Sequence, residues 1–472
     1  MMRGDALHRR AFLGTALAFG MAGGLYAEQP PGLSVPPPRK PPPRPSDLIA
    51  AAGLGADVGY AVVDSTGRML EGRGADHPVA PASTLKALTA LYALDRLGPE
   101  ARFATRVLRF GDDLVLAGGG DPVLDTDALA TLADLTAAAW GPRSPARFLV
   151  FGGALPAIRE IAPEQEPHLA YNPAVSGMML NFNRVHLSWK AGGEGLALQA
   201  RAARNSPVAY TVRAEAVGQG PLFGWRAENG REIWSVNRAG LRSAGSRWLP
   251  VRRPEAYAGD VFQTLCRARG LVLPTPGTGP ANLVGGTEIA RVESPALRVI
   301  LRDMMDYSTN LTAEVVGLHA SGETDLRASA RAMQDWAQAR GITGLDLRDH
   351  SGLSPESRVT ARAMAGIIAT SGGHEGLRTL MKPIGLRDAQ GRAADGPLRM
   401  QAKTGTLNFV SNLAGYGSLP DHGEVIFAIF ISDMARRAAT EGQELPAGVV
   451  TWTQRAKFLQ QQLVETWLRR YA

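Results

Sequence analysis

Apolar and polar positions along the chain follow two periods, and the two predict different elements. Residues 58–63 (Val-Gly-Tyr-Ala-Val-Val) read as a strand, Asp64-Ser65-Thr66-Gly67 as a turn, and Met69 and Leu70 as the start of a second short strand. Leu85, Leu88, Leu91, Tyr92 and Leu94 then recur at helical spacing until Gly98-Pro99 ends the run. An amphipathic stretch over 297–305 and another from Leu311 predict two helices joined by a loop at 307–310. Strands are expected at 413–417 and 425–432, with 403–406 at the start or end of another, and a last helix over 452–471. Between residues 102 and 290 the pattern shortens to alternating strands such as 148–151, 196–202 and 210–213. Helices interspersed with strands predict an α/β (α+β) fold.

Composition narrows the class. The chain has 472 residues, 45% of them apolar and 20% charged, enough for a sizeable core and for two or three domains. No apolar run reaches the roughly 18–20 residues that cross a bilayer. The single cysteine, Cys266, excludes an intramolecular disulfide framework and reads as a buried small hydrophobe on a helix. The eight histidines show no HExxH or paired spacing, which argues against a zinc hydrolase. The net charge of +7 comes from Lys and Arg spread among 44 acids, so no nucleic-acid partner is expected. Such an excess suits work beside an anionic cell wall or membrane.

The first 27 residues carry Arg3, Arg9 and Arg10, a small and apolar run from Ala11 to Leu25, and a small-residue site at Leu25-Tyr26-Ala27. That three-part pattern predicts a secretory signal over 1–27. His8-Arg9-Arg10-Ala11-Phe12-Leu13-Gly14 resembles a twin-arginine export signal, and an ordinary signal holding two arginines is the alternative. Residues 28–46 are rich in proline and predict an extended linker. The expected compartment is the periplasm.

Three short motifs carry candidate chemistry. Ser83 stands at a helix start with Lys86 one turn on, on the same face. A serine hydroxyl needs a base within about 3 Å, and a lysine becomes one when burial or a second cation lowers its pKa. A capping serine beside an exposed lysine is the bland alternative. In Tyr307-Ser308-Thr309-Asn310, a hydroxyl and an amide can point from the loop into a cleft, or simply form a turn. In Lys403-Thr404-Gly405-Thr406, a cation and two hydroxyls suit a substrate carboxylate, and Gly405 would let the strand come close to a ligand.

In the order S-x-x-K, S-x-N, K-T-G, the three motifs resemble those of the serine penicillin-binding proteins and class A β-lactamases. Ser83 and Ser308 are 225 positions apart, and Ser308 and Lys403 only 95. A long insertion after the nucleophile helix resembles the peptidase S13 family, the penicillin-binding protein 4 type of D-alanyl-D-alanine carboxypeptidase. Flanking segments agree: Leu116 to Leu124 around Gly118-Gly119-Gly120-Asp121-Pro122, Asn172 to Asn183, and Ser294-Pro295-Ala296-Leu297 with Tyr307 to Glu314. The glycines of 118–121 lack the spacing of a phosphate loop and read as a tight turn. The resemblance runs from about residue 47 to the C-terminus. It implies a penicillin-binding catalytic domain over 47–101 and 291–472, with inserted accessory domains over 102–290.

The resemblance also implies roles. Ser83 is the nucleophile, Lys86 its base, Ser308 the proton carrier and Asn310 a substrate-amide holder. Lys403, Thr404, Gly405 and Thr406 bind the substrate carboxylate, and the amides of Ser83 and Thr406 hold the oxyanion. Peptidoglycan stem peptides are the implied substrates, β-lactams the implied inhibitors, and no metal or organic cofactor is needed. One position departs from the family's D-G-S-G-L-S: Asp349-His350-Ser351-Gly352-Leu353-Ser354 has histidine where glycine is usual. His350 is either strained by a positive φ, displaced with its turn, or set against substrate. Two rivals remain: a β-lactamase, which needs an E-x-x-L-N element not found between Ser308 and Lys403, and a non-catalytic wall-binding or sensor module, which has no need of both lysines.

Overall fold

A computed structural model describes residues 41–280, 282–373 and 376–472. The expected export signal and residues 28–40 of the linker lie outside the described residues. The body is organised by a six-stranded sheet whose order is Lys382–Pro383, Arg399–Leu407, Val410–Ser418, Glu424–Ser432, Asp57–Val63 and Met69–Arg73. All of its pairings are antiparallel. The N-terminal hairpin and the last long strands thus share one sheet.

Each face of the sheet has its own cover. The helix Val449–Tyr471 buries Trp452, Ala456, Leu459, Leu463, Val464, Trp467 and Leu468 against one face. These residues recur at i, i+4 and i+7, the stripe an amphipathic helix offers to a core. The other face carries helices Leu85–Leu97, Leu297–Tyr307, Asn310–Ser321, Leu326–Gln338 and Ala361–Ser371. A row of small residues crosses this face, with Lys403 opposite Ala414, Ala414 opposite Ala428, and Ala428 opposite Ala61. Small side chains let the helical layer approach the strand that carries Lys403.

Residues 104–293 form further sheets with a separate core. Five strands run in the order Pro276–Thr278, Arg147–Phe151, Asp113–Ala117, Ala104–Phe110 and Thr287–Glu293. Two three-stranded sheets are centred on Arg184–Trp189 and Arg231–Asn237. Helices Thr126–Trp140 and Pro254–Arg267 pack with them, burying Leu129, Leu132, Tyr257, Phe262 and Cys266. Burial pushes the Cys266 thiol up to about 12, so it behaves as the small hydrophobe the sequence suggests. The expected strand at 210–213 begins later, as Val212–Val217. The Asp260 carboxylate accepts from the backbone N–H groups of Tyr210 and Thr211, the latter at 2.8 Å, so those donors are taken before the ladder begins.

Candidate active site

Ser83 lies in a tight 3₁₀ turn, Ala82–Thr84, that feeds directly into the helix Leu85–Leu97. Ala82 adopts φ +48°, an unfavourable value for a residue with a side chain. Its surroundings hold it there. Asn412 donates from Nδ2 to the carbonyls of Ala80 and Pro81, both at 3.0 Å, tying the turn to the sheet. A Cβ at Gly352 would lie 1.9 Å from the Ala82 carbonyl oxygen, and one at Gly405 would lie 2.9 Å from that of Pro81. The Ser83 turn is therefore pinched between two glycines. The close approach that Gly405 permits is made to this turn, where the sequence suggested a ligand.

Lys86, one turn beyond Ser83, is 0% exposed. Its Nζ donates to Ser83 Oγ at 2.9 Å, Asn310 Oδ1 at 2.7 Å and the Ser351 carbonyl at 2.8 Å, which uses all three of its hydrogens. Every one of these acceptors is neutral. Burial lowers the Lys86 pKa to about 8, with Glu314 and Asp349 pulling it back up. An ammonium near neutrality in water thus becomes a group that releases its proton within reach of a hydroxyl.

Lys403 is the second buried lysine, 2% exposed, on the strand Arg399–Leu407. Its Nζ donates to Ser308 Oγ and to the Thr404 carbonyl, both at 2.9 Å. Its pKa falls well below the usual lysine value, mainly through burial and then through the like charges of Lys86 and Lys382. Among the described residues neither lysine has a carboxylate oxygen within 4.0 Å. Ser308 accepts from Lys403 and not from Lys86, whose three hydrogens go to Ser83, Asn310 and Ser351.

Ser308 terminates the helix Leu297–Tyr307 at φ +58°, and the next helix, Asn310–Ser321, starts two residues later. A left-handed serine costs about 1–2 kcal/mol. Two buried helix faces clamp it, through Leu301, Met304 and Met305 on one side and Leu311, Ala313 and Val315 on the other. The break aims Ser308 at Lys403 and Asn310 at Lys86. Thr404 is half-buried and Thr406 exposed on the same strand.

Besides Ser351, three residues outside the predicted set belong to this network. Glu314 is fully buried and accepts from the backbone N–H of His350 at 3.0 Å and of Ser351 at 2.9 Å. It thereby turns the Ser351 carbonyl toward Lys86. Burial raises the Glu314 pKa, and Asp349 raises it further. Asp349 accepts from Ser351 Oγ at 3.1 Å and Ser357 Oγ at 2.6 Å, which closes the loop. The third is Tyr171, whose carbonyl accepts from Asn310 Nδ2 at 3.0 Å. Glu314 lies four residues after Asn310, on the same helix face, so its spacing was a usable signal; nothing local marks Tyr171.

His350 is neither strained nor set against substrate. Positive φ falls at Gly352 (φ +75°) and not at His350. The imidazole is 0% exposed, with Nε2 2.7 Å from Ser329 Oγ and Nδ1 3.4 Å from Met333 Sδ. Space for it is made by Gly317, where a Cβ would lie 2.3 Å from His350 Cγ. Burial lowers its pKa to about 3, so it stays neutral through the physiological range.

Comparison with known proteins places this geometry in context. Residues 46–456 match the model of the D-Ala-D-Ala carboxypeptidase 3 (S13) family. The chain is 28% identical over 432 residues to a D-alanyl-D-alanine carboxypeptidase of Actinomadura sp. (strain R39), covering 79% of this chain and 77% of that protein. In fold it is similar to penicillin-binding protein 4 from Haemophilus influenzae, with a TM-score of 0.69 at 19% identity, over 88% of this chain and 98% of that one. A second structure of that protein, complexed with a β-lactam, matches with a TM-score of 0.67 at 19% identity, over 89% and 99% of the two chains.

Proposed function

The chain belongs to the D-Ala-D-Ala carboxypeptidase 3 (S13) family, and from that premise we propose how its own residues carry out serine-type hydrolysis of peptidoglycan stem peptides. The observation that carries the reading is Lys86 Nζ, buried without a carboxylate contact, at 2.9 Å from Ser83 Oγ. Neutral Lys86 takes the Ser83 proton as Oγ attacks the carbonyl of the penultimate D-alanine. The backbone N–H groups of Ser83 and Thr406 hold the oxyanion, a contribution typically worth about 10²–10³ in rate per donor. The proton taken by Lys86 reaches the departing amine through Ser308, which Lys403 holds, so the C–N bond breaks, terminal D-alanine leaves and Lys86 is neutral again. Water then enters and hydrolyses the acyl-enzyme, returning Ser83.

Lys403, Thr404 and Thr406 bind the free carboxylate of the terminal residue. Asn310 has a second Nδ2 hydrogen and a second Oδ1 lone pair beyond its contacts with Tyr171 and Lys86, and these hold the substrate amide. A D-centre within a diaminopimelate cross-link carries the same free carboxylate, so D,D-endopeptidase cleavage uses the same site. β-Lactams acylate Ser83 by the same attack. The catalytic domain comprises 47–101 and 291–472, and 102–290 is the accessory insertion. The chain is exported to the periplasm by its N-terminal signal, and no described helix is long and apolar enough to cross a membrane.

Incubation with a fluorescent penicillin, followed by intact mass, tests the reading. The expected result is one long-lived adduct, lost in Ser83→Ala, followed by release of D-alanine from a stem pentapeptide. Rapid penicillin turnover with no adduct would point to a β-lactamase. Neither adduct nor turnover would leave a binding module.

A further inference from the structure

Asn310 touches Lys86 with one end of its amide and the segment 159–172 with the other. An ammonium can only donate and a backbone carbonyl can only accept, so the two contacts admit one orientation of the amide: Oδ1 toward Lys86 and Nδ2 toward Tyr171. Rotated by half a turn, the amide would set N–H against N–H at Lys86 and oxygen against oxygen at Tyr171. The Tyr171 carbonyl is therefore the lock on a side chain at the centre of the site. What places that carbonyl is remote from the three motifs.

The segment 159–172 has no regular secondary structure. Its shape is set by buried side chains. Asn172 makes a reciprocal pair with Ala162, accepting from its N–H at 2.9 Å and donating to its carbonyl at 2.8 Å. Arg252, 7% exposed, reaches in from the end of the strand Gly245–Pro250. Its Nη1 donates to the Asn172 carbonyl at 2.6 Å and to that of Arg159 at 3.2 Å, and its Nη2 to that of Pro167 at 2.9 Å. Glu160 lies 3.6 Å from Nη2. The backbone of Arg252 is itself fixed, its N–H donating to both oxygens of the buried Glu232 at 3.0 and 2.9 Å. One guanidinium thus holds three carbonyls of the segment, one of them on the residue after Tyr171.

We propose that Arg252 is a positioning residue for acylation, holding the 159–172 segment so that the Tyr171 carbonyl keeps the Asn310 amide turned toward Lys86. This rests on the function proposed above and gives the region 104–293 a part in the chemistry. Its effect passes through Asn310, which separates it from a merely structural role.

The test is the rate of Ser83 acylation by benzylpenicillin in the full chain, with Arg252→Lys and Arg252→Met measured well below each variant's unfolding midpoint. Displacement of a catalytic amide by about 1 Å costs up to 10²-fold, so a loss of about 10- to 100-fold in the acylation rate constant is expected, with smaller change in penicillin affinity. Lys86 also faces Glu314 and Asp349 and lies in the field of Lys403, none of which the substitutions touch. Losing the Asn310 acceptor favours neutral Lys86, so the acid limb of the pH profile moves to lower pH. In an Asn310→Ala background, Arg252→Lys is expected to cost nothing more. Wild-type rates with an unmoved limb, or losses that multiply in the double variant, would overturn the proposal. If Arg252→Met does not fold, Arg252→Lys carries the test, since it keeps the charge and can reach one carbonyl. Failure of the wild-type protein to be acylated would instead remove the proposed function, and this inference with it.

Discussion

Lys86 and Arg252 are both buried cations held by three oxygens or more, and burial lowers the pKa of both, yet the two serve different ends. Lys86 meets a hydroxyl, an amide oxygen and one backbone carbonyl, with Glu314 and Asp349 acting only from beyond contact. Burial outweighs them and brings its pKa to about 8. Arg252 has three backbone carbonyls and the Glu160 carboxylate, and a guanidinium does not give up its proton in a protein. In the proposed mechanism the first environment makes a base, and the second makes a rivet. Burial alone decides neither; the chemistry of the cation and the charge of its contacts do.

The strongest test of that contrast exchanges the two kinds of cation. Lys86→Arg keeps the charge but removes the capacity to accept a proton at any working pH. General-base catalysis is typically worth about 10²–10⁴, so penicillin acylation should fall about 10³-fold while the circular dichroism stays native. In the wild type the base must be neutral, and its folded pKa lies below the ordinary 10.5, at about 8. Acylation should therefore rise about tenfold per pH unit up to about pH 8 and then level off. A pH-independent rate between 5 and 8, or an active Lys86→Arg, would show that Lys86 is not the base.

Lys403 sharpens the comparison because it is buried like Lys86 but contacts Ser308 and a carbonyl. Lys403→Met removes the group that, in the proposed mechanism, orients Ser308 for proton transfer and attracts the substrate carboxylate. Acylation by benzylpenicillin should fall about 10²-fold, within the range for a single preorganised electrostatic contact. Part of that loss belongs to the carboxylate, so the methyl ester of the same penicillin should lose less. Equal losses for acid and ester would assign Lys403 to the proton transfer alone.

The elements that carry the site follow patterns visible in the sequence. Leu85 to Leu94 recur at helical spacing, the paired runs before and after Ser308 mark two helices, and 413–432 reads as adjacent strands. Local periodicity places Ser83, Lys86, Ser308 and Asn310 because each lies within a few residues of such a run, whereas Lys403, expected at the start or end of a strand, stands in the middle of Arg399–Leu407. The rest depends on contacts between distant segments. Tyr171 and Asn310 are 139 positions apart, and Arg252 and Asn172 are 80 apart. No periodicity links them. Gly405 illustrates the same limit: the sequence shows that a close approach is made there, and only the fold shows that it is made to Pro81 and Ala82.

His350 completes the contrast as a buried titratable group beside the site with no part in the chemistry. Its ring is neutral above about pH 3, points at Ser329 and Met333, and shares only backbone contacts with the Glu314 network. His350→Gly restores the glycine usual in the family but empties the space the ring fills. A loss of about 2–4 kcal/mol in stability is expected from the cavity and the added backbone freedom. The acylation rate at 25 °C should stay within about twofold of wild type and the acid limb should not move, because the His350 N–H that Glu314 accepts survives the substitution. A moved limb would mean that the ring is electrostatically joined to Lys86. Gly317 supplies the cross-check. Gly317→Ala places its Cβ 2.3 Å from the ring and should destabilise the wild type, whereas in the His350→Gly background the methyl group partly fills the cavity and the two substitutions should offset each other.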